Sequence, residues 1–149
     1  MKYEKRISDK LNELLVKNYD AEKGYIKAIN EVDNVTVKNF FSNRAEERSR
    51  FARELRTEIL TYGEMPEDSG SFKGTLHRNW MTLRTTFSSN NEETILNEAL
   101  RGEKASLEEY NELLADHKMP ERLVNILREQ RNAIESAINS VKTYEEVLS

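Results

Sequence analysis

The chain has 149 residues, no cysteine, and a net charge of −4 from 23 Lys and Arg against 27 Asp and Glu. That length favours a single domain, 1–149, with a moderately sized core, while the missing cysteines exclude a disulfide framework, a thiol nucleophile and a thiolate metal site. Mixed charges give no general case for nucleic acid, no apolar run approaches the roughly 20 residues of a membrane span, and the charged start MKYEKRISDK is no signal-peptide core, so a cytoplasmic protein is expected.

Five glycines and two prolines point to long helices rather than a sheet with many turns. The first spans 3 to 32, with Ile7, Leu11, Leu14 or Leu15, Asn18, Glu22, Tyr25, Ile29 and Val32 on one stripe. Asn18 and Glu22 interrupt it with polar groups; a solvated margin and an internal polar site both fit. Val32-Asp33-Asn34 is a turn in which Asp33 or Asn34 caps the next helix.

The second helix, 35 to 62, carries Val37, Phe40 or Phe41, Arg44, Glu47 or Arg48, Phe51, Leu55, Ile59 and Tyr62 on its inner side. Glu47 sits on or beside that stripe, and Arg44, Arg48 and Arg50 are at hand to satisfy buried carboxylates. Solvent-facing ion pairs are the bland alternative. Gly63 ends the helix, and 63 to 71 is a loop rich in turn formers. A short helix follows from Phe72 to Phe87, packing through Phe72, Leu76, Trp80 and Leu83. Residues 69 to 91 contain no Asp or Glu, so Lys73, His77, Arg78 and Arg84 form a basic surface suited to an acidic protein or a phosphate.

Residues 92 to 116 form the organising helix. Leu96, Ala99 or Leu100, Glu103, Leu107, Tyr110 and Leu114 share its inner side. Glu103 stands halfway along, where a carboxylate needs a donor, a cation or a metal. Gly102 weakens the helix by about 0.5–1 kcal/mol relative to alanine, which close approach of another group would explain. The last helix, 120 to 148, repeats the pattern with Leu123, Ile126 or Leu127, Gln130, Ile134, Ala137, Val141 and Tyr144. Gln130 is its polar interruption.

Long helices with short first and third connections and a long middle one imply an all-α, ferritin-like four-helix bundle, with the short extra helix in the crossover. Antiparallel packing sets Glu22, Glu47, Glu103 and Gln130 at a similar depth. The segments Arg44-Ala45-Glu46-Glu47-Arg48, 63–71, Leu76-His77-Arg78-Asn79-Trp80 and Leu100-Arg101-Gly102-Glu103 resemble an uncharacterised bacterial family of ferritin-like bundles. That resemblance implies the fold and no activity. More distantly the chain is similar to rubrerythrins, which implies metal ligands at Glu22, Glu47 and Glu103. The two histidines of that pattern are absent, with Arg50 and Asn132 in their places. Two functions follow. One is a structural or protein-interacting bundle, open to homodimer formation through a helix face, with its carboxylates paired to arginine and tyrosine. The other is an iron- or manganese-binding di-metal protein with oxidase, peroxidase or storage activity.

Overall fold

A computed structural model describes residues 2–68 and 92–141. Among these residues there are four helices and no strand: α1 (Lys2–Ile29), α2 (Val35–Thr61), α3 (Glu92–Leu114) and α4 (Glu121–Ser140). The architecture is all-α, and no described helix is long and apolar enough to cross a membrane. The expected helix Phe72–Phe87, its Trp80 anchor and the basic surface from Lys73 to Arg84 lie outside the described residues.

The helix ends have identifiable causes. Asn34 caps α2, its side chain accepting from the Val37 amide at 3.0 Å. Gly63 closes α2 with φ +77°, a left-handed conformation that glycine adopts without a Cβ clash. α1 stops at Ile29 rather than at residue 32, because the Asn30 and Glu31 amides turn back to the Lys27 and Ala28 carbonyls in a tight last turn. α3 stops at Leu114 rather than 116, and the Asp116 carboxylate accepts from the Lys118 amide in the turn. α4 starts after Pro120 and ends at Ser140, with Val141 already extended; the expected continuation to 148 lies beyond the described residues.

Packing directions follow from which residues meet. Tyr25 packs on Phe41 and Asn18 meets Arg48, while Asn12 bonds the backbone of Met65 and Glu67, so α1 and α2 are antiparallel. Tyr25 meets Glu103, Asn18 meets Tyr110, and Arg6 and Lys10 meet Asp116, so α3 is antiparallel to α1 as well. Arg122 meets Glu58 and Gln130 meets Glu54, which sets α4 antiparallel to α2. α2 and α3 therefore run parallel. The start of α3 is tied to the α1–α2 turn, where Glu92 accepts from the Asp33 and Asn34 amides at 2.5 and 2.9 Å. α2 ends at one end of the bundle and α3 begins at the other.

The apolar core is divided in two. One cluster, near the α1–α2 turn, contains Ala28, Val37, Phe40, Phe41, Ile95, Leu96 and Ala137. The other contains Ile7, Leu11, Leu15, Phe51, Leu55, Leu123, Leu127 and Ile134. Between them lie the fully buried Asn18, Arg48 and Glu103, and the buried Gln130, flanked by Leu127 and Ile134, carries this polar layer into the second cluster, so that each helix supplies one member. Gly102, beside this layer in sequence, is not explained by crowding. A Cβ there would meet nothing within 4 Å.

Candidate functional site

The polar layer is the chemical centre of the bundle. Each helix brings its polar residue inward because the side chain stands on the same stripe as the leucines and phenylalanines above and below it. Once there, each group must find partners, since an unpaired buried amide costs about 1–3 kcal/mol and an unpaired charge more.

Those partners form one continuous network. Arg48 donates from Nη2 to Glu103 Oε2 at 2.9 Å and from Nη1 to Asn18 Oδ1 at 2.8 Å. Tyr25 donates to the other Glu103 oxygen at 2.5 Å. Asn18 Nδ2 donates to the Leu14 carbonyl at 2.9 Å and to the Tyr110 hydroxyl at 3.3 Å. Tyr110 donates onward to Gln130 Oε1 at 2.6 Å. Gln130 Nε2 donates to the half-buried Glu54 at 2.8 Å and to the Phe51 carbonyl at 3.4 Å. Asn18 and Tyr25 come from α1, Arg48 and Glu54 from α2, Glu103 and Tyr110 from α3, and Gln130 from α4.

The electrostatics are those of a sealed ion pair. The Glu103 and Arg48 side chains are only 1% and 4% exposed. Burial works against the Arg48 charge, yet Glu103 and the two tyrosines more than offset it, and the guanidinium holds its proton more firmly than usual. Burial, reinforced by the Glu103 charge, pushes the Tyr25 hydroxyl well above its ordinary range. Burial likewise raises Tyr110, against the opposing pull of Arg48 and the Asn18 bond. These hydroxyls act near neutrality as hydrogen-bond donors and not as acids. An arginine in this position is a permanent cation, with no lone pair for a metal and no change of charge near neutrality.

The three carboxylates expected as metal ligands are distributed differently. Glu103 is in the layer. Glu47 is half-buried beside it on α2, ion-paired with Arg44 and, at 3.7 Å, with Arg50. Glu22 is half-buried and lines, with Glu47, a surface groove of about 690 Å³ between α1 and α2 whose lining does not include Glu103. Among the described residues no three His, Asp or Glu side chains are grouped to hold a metal ion. Both Glu103 oxygens are engaged, one by Tyr25 and the other by the Arg48 guanidinium.

Two members of the interior were not among the sequence candidates. Glu54 adjoins Leu55 and ends the network. Glu58 is 2% exposed and meets Arg122 at 3.1 Å on the α4 side. Their signal is position alone, one residue before Leu55 and Ile59 on the α2 stripe.

Residues 6–116 match a family described as a domain of unknown function, DUF2383. The chain belongs to that family. No curated protein and no solved structure matches it. The DUF2383 segment holds every side chain of the network except Gln130, which α4 contributes from beyond it.

Proposed function

We propose that this DUF2383 protein is a ferritin-like bundle with a structural or protein-interacting role, built on a metal-independent polar core. The observation that carries the reading is the Glu103 carboxylate, closed on one side by Tyr25 and on the other by Arg48. A di-metal carboxylate protein must leave carboxylate oxygens facing an open position. Here a fixed cation takes the place of the metal charge. The ferritin-like assignment is supported by the parallel run of α2 and α3, which requires a connection between opposite ends of the bundle, as in bundles with one long crossover.

Metal analysis tests this reading against iron or manganese chemistry. The purified chain is incubated with ferrous iron or manganese(II), passed over a desalting column, and assayed for bound metal and thermal midpoint. The expected result is no stoichiometric metal and an unchanged midpoint, since a ligand that binds only the native state must raise it. Two retained ions per chain with a raised midpoint would overturn the proposal in favour of the di-metal reading.

A further inference from the structure

The outward side of α2 carries a second pattern that the core does not use. Val35, Asn39, Ser42, Glu46, Ser49 and Arg53 lie on one stripe, set by alternating steps of four and three residues, and Leu60 continues it seven residues further on. Val35 and Leu60, at its two ends, are 69% and 55% exposed. Ser49, at the middle, is small. Ser42, Glu46, Ser49 and Arg53 of this stripe line the α1–α2 groove, and the half-exposed Ile26 stands on its other wall.

Among the described residues, the charges on this face are not satisfied. Glu46 and Glu22 have no hydrogen-bond or ion-pair partner among the described residues. The Arg53 guanidinium bonds only the Ser49 hydroxyl, at 3.0 Å, and meets no carboxylate among them. Glu46 and Arg53 are two helical turns apart, about 10 Å along the axis, too far to reach each other. A second α2 laid antiparallel, with its two-fold axis near Ser49, brings Glu46 of each copy opposite Arg53 of the other. It also lays the Val35 end of one helix beside the Leu60 end of its mate. A two-fold interface must be complementary to itself, and a face with one acidic and one basic position flanking a small residue meets that condition.

We infer that the outer stripe of α2 is a homodimer surface, closed by paired Glu46–Arg53 contacts around Ser49. This rests on the interaction reading above and fails separately from it. Metal uptake would defeat that reading and leave the dimer standing; a monomer would defeat only the dimer.

Sedimentation equilibrium of the full chain, with Glu46→Arg, Arg53→Glu and the double exchange, provides the test. The wild type and the double exchange should dimerise comparably. Each single reversal sets like charges against each other twice and should weaken association by roughly tenfold or more. Circular dichroism melts at low concentration control for folding, since both side chains are exposed. A wild type that stays monomeric at high concentration overturns the inference, as does a dimer indifferent to the single reversals.

Discussion

Arg48 is the residue on which the interior depends. A buried ion pair is weak evidence for stability, because desolvation offsets most of the attraction, but breaking one partner is costly. Truncating Arg48→Met leaves the Glu103 carboxylate buried with Tyr25 alone, at an expected cost of about 3–5 kcal/mol. In a Glu103→Gln background the same truncation strands no charge, and its cost should fall to the roughly 1–3 kcal/mol of a lost buried hydrogen bond. Urea unfolding of the four variants measures the coupling. Equal costs in both backgrounds would mean that the pair contributes no more than its shape. The tyrosines give an independent check through pH. Tyr25 and Tyr110 are both raised by burial, so the folded state keeps protons that the unfolded chain releases. Their contribution is fully present below the unfolded tyrosine value of about 10 and is lost as pH climbs above it. Unfolding free energy should therefore fall beyond about pH 10, with tyrosinate absorbance from these two rings appearing only as the chain unfolds. Tyrosinate absorbance from all six tyrosines of a still-folded protein would contradict the sealed layer.

At the scale of the helices, much of this arrangement was legible in advance. The stripes of α3 and α4 each contained one polar residue at a core position and that of α1 contained two, and Asn18, Glu103 and Gln130 are buried as that spacing implies. The Asn34 cap and the Gly63 terminus were also readable, since each rests on the chemistry of a single residue type. α2 was harder. Glu47 and Arg48 are neighbours about 100° apart on the helix, and both adjoin the stripe through Phe51 and Leu55. Which of them enters is decided by the facing helices. Glu103 and Asn18 offer an anion and a carbonyl oxygen at that level, so the arginine goes in and Glu47 stays at the margin with Arg44 and Arg50. Glu22 follows the same logic. One more polar group on the α1 stripe has no partner inside, and it faces the groove. Helical period gives direction to within a residue or so; it does not contain the neighbours that choose between adjacent candidates.

The whole molecule is held together by the way the network crosses it. Among the described residues Gln130 is the sole α4 member of the chain of hydrogen bonds, receiving Tyr110 and passing to Glu54. α4 also supplies Leu123, Leu127 and Ile134 to one apolar cluster and Ala137 to the other. The DUF2383 segment, residues 6–116, contains none of these. Cut at that boundary, the chain would expose Phe51, Leu55 and Ile59 along α2 and leave the buried Tyr110 hydroxyl without its acceptor. Fully burying each large aliphatic side chain contributes about 1.5–3 kcal/mol, and a whole domain has only about 5–15 kcal/mol to lose. Removing three such leucine and isoleucine side chains from α4, together with a network partner, is therefore enough to erase the folded state. A truncated chain ending at Asp116 should show little cooperative unfolding and poorly dispersed amide resonances, where the full chain gives one transition. If the truncated chain melts cooperatively within a few degrees of the full one, α4 is an appendage and the four-helix layer is not what unites the core.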